Sequence, residues 1–556
     1  MKNNLIRTRR LRACLVLLLV VTSGSMATAQ ATTVQAAAVR AATTQETIYS
    51  VIISGGTVYD GLGSEGIRAD VGIRGDRIGD IGDLSEARAA RRIDATGLAV
   101  VPGFIDIHSH ATSGSPAASG IVLRPLAENY IRQGVTTAMG GQDGGSPIQI
   151  GEFLAYLDSA PSAINIGLFI GHGSVREHVM GQDARIPSTA ELAEMVSLVE
   201  TAISEGAFGL SSGLEYTPGS YAHVNELIAL ARPLAIRNGL YISHIRDEGA
   251  RVQESIAELI RVGEEAGVAA QVTHHKVIGQ GRWGGTVATL ELIESARARG
   301  VDVMSDQYPY TASSTEMTIL FPGWAKVGGT SQLLERLKDP ETRNRIRSDV
   351  IDHINEERGA DPSTIVAARC PENSIMDGLS LADILARDGK PITVEGAADV
   401  AIHLVETGGC SGVFHSMSED DVRRVMSHPT TMIASDGGVP ALDQGVPHPR
   451  NYGAFSKVLG YYVREEHVLS FPQAIQKMTS LPASRLGLME RGQISKGSIA
   501  DLVILDPILI SDHAIFGDPH HYATGVEYVF VSGQAVLWES ELTGVRPGKA
   551  LRSGRD

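Results

Sequence analysis

The sequence predicts a parallel (β/α)8 barrel, a TIM barrel, with a small β-sandwich built from both chain ends. Three observations lead there. Eight short strand-like segments recur between residues 104 and 435, with amphipathic stretches linking several of them. Two β-rich, glycine-punctuated regions flank that centre. Histidines and carboxylates fall repeatedly at the C-terminal ends of the central strands, the face on which such barrels do their chemistry.

Composition sets the outer bounds. The chain has 556 residues, too many for one ordinary hydrophobic core. With 43% hydrophobic and 20% charged residues it reads as globular. A formal net charge of -16 argues against nucleic acid or an anionic membrane surface as the main partner.

Residues 1–29 read as a signal peptide. Lys2, Arg7, Arg9, Arg10 and Arg12 form a basic start, Ala13 to Val21 a short apolar run, and Ala27-Thr28-Ala29 a cleavage signal. The expectation is an exported protein, periplasmic or secreted, with no membrane contact after cleavage. An uncleaved anchor is the alternative. Residues 30–46 read as a flexible leader. Cys14 leaves with the signal. Cys370 and Cys410 either pair in the oxidising compartment or stay as two small thiols.

Residues 47–103 alternate in strand fashion, as in Tyr49 to Asp60 and Asp70 to Gly79. The pattern returns in residues 485–556, in Ala500 to Asp506 and Val526 to Trp538, hence a sandwich of both ends. The barrel is expected over 104–484. Its strands are placed at 104–108, 136–140, 166–170, 208–211, 240–244, 268–274, 301–307 and 431–435. Val252, Ile256, Leu259 and Ile260 sit at helical spacing in a connector. The stretch of about 323–421 is too long for a loop and predicts an α-rich insertion before the last strand.

The first strand ends in His108 and His110. Residues two apart on a strand share a face, so both imidazoles are expected to project together, as a metal-ligand pair does. Asp143 follows the second strand, His244 ends the fifth, His274 the sixth and Asp436 the eighth. Each has an ordinary alternative: Asp143 as a helix cap, Asp436 as a turn residue, His172 as a satisfied polar group. His275 should point away from the set, and Phe104, Ile105 and Ile107 should be packing. Their joint position on one rim favours a divalent-metal site.

The motifs Gly103 to His110, Tyr241 to Gly249, Gln271 to Lys276, Asp306 to Tyr310, Ala434 to Gly437 and His448 to Gly453 resemble the amidohydrolase superfamily. They are most similar to its N-acyl-D-amino-acid deacylase (D-aminoacylase) branch. The likeness extends to the tail, Arg491 to Val503 and Thr543 to Leu551. It implies zinc held tightly by His244 and His274, with His108, His110 and Asp436 forming an adjoining weaker site. It implies Asp436 as the proton carrier and Tyr308 as a group polarising the scissile carbonyl. It also implies that Arg450 clamps the substrate carboxylate while Tyr216 and Ser314 line the pocket. An ordinary ion pair is the alternative for Arg450. The implied substrate is a small N-acyl amino acid, probed as D or L, or a dipeptide-like molecule. A homo-oligomer is left open.

One position departs from the branch. Its turn after strand 2 carries a cysteine, whereas Gly141-Gln142-Asp143-Gly144 puts a carboxylate there. Carboxylate is a harder ligand than thiolate, so manganese or cobalt should be accepted beside zinc, at one or two sites, and Asp143 is able to bridge them. Hydantoinase-like and dihydroorotase-like relatives use a carboxylated lysine on strand 4. The segment Gly206 to Tyr216 has no lysine, and Lys276, which follows strand 6, is no substitute. A dipeptidase or related amidase is the runner-up. A deaminase and a non-catalytic binding protein on the same scaffold are the remoter readings.

Overall fold

The structure, a computed structural model, describes residues 48–554. The expected signal peptide and leader lie outside the described residues. Among the described residues no helix is long and apolar enough to cross a membrane.

Strands from both chain ends lie in one nine-stranded sheet. Tyr49–Val58 pairs antiparallel with Ile67–Arg74 and parallel with Ala89–Asp94 and Ala99–Pro102. Ala99–Pro102 then pairs antiparallel with Leu502–Leu505, which continues into Val526–Val531 and Gln534–Trp538. Valine and isoleucine recur in these strands and suit a pleated, half-buried surface. Val51, Ile53, Val71, Ile73, Leu502 and Ile504 bury together in one cluster.

The central strands are all parallel and follow chain order. β1 (Phe104–Asp106), β2 (Val135–Gly140) and β3 (Asn165–Leu168) form a three-stranded sheet. β4 (Gly209–Gly213), β5 (Leu240–His244), β6 (Ala269–Val272), β7 (Val303–Gln307) and β8 (Thr431–Ile433) form a second sheet. Ile170–Gly171, just past β3, pairs with β4 and carries the order from one sheet to the next. At the other seam Asp436 N–H donates to His108 O at 2.9 Å, and His110 N–H to Gly437 O at 2.6 Å. Fully buried runs such as β2 are what parallel strands covered on both faces require.

The connector helix spans Val252–Ala266 and buries Val252, Ile256, Leu259 and Ile260. It stops at Gly267, whose φ of 70° is a left-handed cap that glycine adopts without strain. Phe104 is buried against Phe455, while Ile105 and Ile107 sit in the apolar cluster between the strands.

The insertion differs from the expected α-rich stretch of 323–421. It already begins at Ala312–Glu316, which pairs antiparallel with Ser411–His415, itself paired with Ile365–Arg369. The sequence Ser313-Ser314-Thr315 has no apolar alternation, so this strand gave no signal. Helices Gly329–Lys338, Pro340–Glu357, Leu381–Arg387 and Val394–Glu406 close over the sheet around a core of their own, including Leu333, Ile346, Val350 and Phe414.

Cys370 and Cys410 form a disulfide within this insertion, across a sequence separation of 40 residues. Cross-linking a loop of that length restricts the unfolded chain and stabilises by about 2–4 kcal/mol. Replacing both cysteines with alanine should therefore lower the denaturant midpoint of the insertion's unfolding by a corresponding amount. Urea titration followed by Trp324 fluorescence measures it, and an unchanged midpoint contradicts it.

Candidate metal centre

Six sequence-expected side chains converge at the C-terminal ends of the parallel strands. His108 and His110 lie just past β1 rather than within it, yet both reach the centre. Their Nε2 atoms are 3.4 Å from Oδ1 and Oδ2 of Asp143, respectively. Nε2 of His110 is also 3.0 Å from Asp436 Oδ1, and Nε2 of His108 is 3.6 Å from it. On the other side His274 Nε2 lies 3.6 Å from Asp143 Oδ1 and 2.9 Å from His244 Nδ1. Two ligand groups result: His108, His110, Asp143 and Asp436, and Asp143, His244 and His274. Asp143 belongs to both.

The local backbone explains how a short aspartate reaches that position. Asp143 has φ 52°, in the left-handed region that costs a non-glycine residue free energy. Neighbours fix the turn around it: Ser211 Oγ donates to Gly141 O at 2.5 Å, and Gln142 Nε2 to Ile107 O at 2.9 Å. Gly213 lets the turn approach, since a Cβ there would fall 2.1 Å from Asp143 O. His274 (φ 34°) and Asp436 (φ 51°) are strained in the same sense. Three left-handed non-glycine residues thus hold candidate ligands.

The donors fit a divalent cation. His108 Nε2, Asp143 Oδ1 and Asp436 Oδ1 face one another at the centre and are buried polar atoms without a hydrogen-bond partner. Such atoms are costly unless something satisfies them. Imidazole nitrogen with carboxylate oxygen is a donor set that zinc, manganese and cobalt accept.

Electrostatics point the same way. Burial would lower the His110 pKa, but the carboxylates of Asp143 and Asp436 overcome it and lift His110 to about 9. Burial and Lys276 would lower His274, yet Glu248 and Asp143 raise it to about 10. Burial alone would raise Asp143; His108, His110 and His274 hold it well below the usual carboxylate range. The centre attracts positive charge, whether proton or metal ion.

The remaining expected residues surround a cavity of about 360 Å³. Tyr308 is buried, and burial pushes its hydroxyl up to about 12, so it stays protonated. Arg450 is no surface ion pair: it is buried, with Nη1 donating to Asp436 Oδ2 at 2.8 Å and Nη2 to Ser314 O at 3.2 Å. His448 prepares that placement. Its Nε2 bonds Ala312 O at 2.9 Å and its Nδ1 accepts the Arg450 N–H at 3.0 Å, which fixes the neutral ring. Ser314 lines the cavity, with its backbone oxygen serving Arg450. The Tyr216 hydroxyl is 3.4 Å from His244 Nδ1.

His172 bonds Glu226 at 2.9 Å, and His275 turns away to Thr289 at 2.8 Å. Glu215, Glu248 and Arg358 escaped the sequence reading, and Lys276 was read there only as no substitute for a carboxylated lysine. Glu215 faces His244 Nε2 at 3.2 Å, and Glu248 faces His274 Nδ1 at 3.1 Å. Lys276 Nζ lies 2.7 Å from Glu248 and 2.8 Å from His274 Nδ1. Arg358 lines the cavity from the insertion, which no local pattern could connect to the strands. Lys276 lies two residues past His274, Glu248 four past His244, and Glu215 adjoins Tyr216; that adjacency was the available signal.

An amidohydrolase family model matches residues 91–537. The chain is 34% identical over 526 residues to D-aminoacylase of Alcaligenes xylosoxydans xylosoxydans, covering 90% of this chain and 97% of that protein. It is 37% identical over 524 residues to N-acyl-D-glutamate deacylase of the same organism, covering 90% and 96%. The crystal structure of N-acyl-D-glutamate deacylase from Bordetella bronchiseptica superposes with a TM-score of 0.77 at 32% identity, covering 91% of this chain and 100% of that one. That structure is complexed with zinc and a phosphonate mimic of the tetrahedral intermediate.

With pKa values of about 9 and 10, His110 and His274 carry protons at pH 7 in the metal-free protein. A metal must displace them. Adding zinc chloride to metal-free protein in weak buffer at pH 7 should therefore acidify the solution. An indicator dye reads the release, and zinc uptake without it contradicts the charge balance described here.

Proposed function

The chain belongs to the amidohydrolase family, and from that premise we propose that it hydrolyses the amide bond of N-acyl-D-amino acids at a divalent-metal centre, giving a carboxylate and a free amino acid. The substrate class follows the curated relatives, which act as deacylases of that class. The observation that carries the reading is the Asp143 carboxylate shared between two histidine groups. It supports zinc at one or two sites, which His108, His110, Asp143 and Asp436 and the group of Asp143, His244 and His274 would hold, and the carboxylate oxygens would admit manganese or cobalt.

The fold reading is a closed (β/α)8 barrel. Its support is the chain-ordered parallel pairing and the hydrogen bonds at the seam between the ends of β8 and β1. The terminal sheet reads as a sandwich, since strands from its two halves bury one common cluster. Export to the periplasm or beyond is supported by the basic-then-apolar N-terminal sequence and by the disulfide, which oxidising compartments favour.

When bound, a divalent cation supplies Lewis acidity to the scissile carbonyl and lowers the pKa of a coordinated water from ~15.7 towards ~7. The side chains do the rest. Asp436 is kept anionic by Arg450 and by His110, so its Oδ1 takes a proton from the attacking water and returns one to the leaving nitrogen as the C–N bond breaks. Tyr308 donates its O–H to the carbonyl oxygen as negative charge develops there. Arg450 uses two of its five N–H donors on Asp436 and Ser314, leaving others for the substrate carboxylate. Tyr216 and Ser314 bound the pocket.

Two outcomes are expected. Tyr308→Phe should lower kcat by about 10²–10³-fold with little change in KM, the pattern of a donor lost in the transition state. A raised KM with kcat unchanged would place Tyr308 in substrate binding instead. Asp143→Ala should lose bound zinc and nearly all amine release when N-acetyl-D- and N-acetyl-L-amino acids are screened together. Full metal content and an intact rate would remove Asp143 from the centre.

A further inference from the structure

We propose that Glu215 is a positioning residue for the metal centre: its carboxylate accepts the Nε2–H of His244 and so fixes the tautomer that leaves Nδ1 for the metal. The inference rests on the metal-hydrolase reading above.

His244 and His274 meet through unlike nitrogens, Nδ1 of one and Nε2 of the other, 2.9 Å apart. Both inner nitrogens must be lone-pair donors for one cation to take them. A neutral imidazole carries a single proton, which must then sit on the outer nitrogen. For His244 that outer atom is Nε2, which is buried with no other hydrogen-bond partner and has the Glu215 Oε2 oxygen as its ion-pair neighbour at 3.2 Å. An ionised carboxylate only accepts, so it selects the Nε2–H form. For His274 the outer atom is Nδ1, faced by both Glu248 Oε1 at 3.1 Å and the Lys276 ammonium at 2.8 Å, so a carboxylate alone selects the tautomer only at His244.

The aim of Glu215 is set by the backbone around it. Its Oε1 accepts the N–H of Glu248 at 3.1 Å, which leaves Oε2 for the ring. Leu214, next in the chain, donates its N–H to His244 O at 3.0 Å, where Gly213 of β4 pairs with His244 of β5. Carboxylate and imidazole are thus presented by neighbouring strand ends in fixed register. Glu248 also pairs with the buried ammonium of Lys276, so a change there strands a charge, and Glu215 is the cleaner test.

The experiment compares the whole protein with Glu215→Ala and Glu215→Gln. Zinc affinity is read by competition with a chromogenic chelator, and ligand geometry by the visible spectrum of the cobalt-loaded proteins. Loss of an outer partner of a metal-bound histidine costs about 10–100-fold in affinity. Glu215→Ala should show that loss with shifted cobalt bands, and Glu215→Gln, which keeps an acceptor oxygen, should recover most of it. Zinc affinities within twofold and superimposable cobalt spectra would overturn the proposal. Where Glu215→Ala does not fold, Glu215→Asp takes its place: withdrawing the carboxylate by one methylene should also weaken zinc, and unchanged affinity overturns the proposal equally. An unaltered protein that takes up no zinc defeats the underlying metal reading instead, and shows it before any variant is made.

Discussion

One carboxylate, that of Asp143, organises the centre. Its two oxygens face three imidazoles from two strand ends, while Asp436 and Arg450 close the other side. Buried carboxylates and imidazoles without water are expensive unless they satisfy one another or a cation. The left-handed backbone at Asp143, His274 and Asp436 is a further cost. These conformations persist because the turn at 141–144 is tied to β1 and β4 and admitted by glycine at 213.

The surrounding protein reads as successive support for that arrangement. Strand register sets Gly213 beside His244 and places Thr273 N–H on Ser243 O, so β4, β5 and β6 deliver their ends at one height. Asp306 at the end of β7 takes the backbone N–H of His274 at 2.7 Å, fixing the strained residue from beneath. Asp106 on β1 accepts the Ser435 N–H at 2.9 Å and orders the turn that carries Asp436. Neither aspartate reaches the cavity; both hold the backbone that presents the ligands.

Much of this was legible in the sequence because β-strands report themselves. Short β-branched and apolar runs with polar ends located all eight parallel segments to within a few residues, and the polar ends located His108, His110, His244, His274 and Asp436. Asp143 was legible through its glycine-rich turn. The insertion strand Ala312–Glu316 was not, because serine and threonine give no alternation to read. Glu215 and Glu248 were hidden for a different reason. Their importance lies in which nitrogen of a neighbouring ring they face, a relation of tautomers that spacing along a chain does not encode. Arg358 belongs to a segment whose position over the strands depends entirely on tertiary packing.

The insertion has a further consequence. It encloses its own apolar core and its own covalent cross-link, yet it lends Ser314, Ile319 and Arg358 to the cavity wall. The roof and the floor of this cavity are therefore joined at one edge: Ala312 and Ser314 steady His448 and Arg450, and through Arg450 the carboxylate of Asp436, whereas Ile319 and Arg358 touch only the wall.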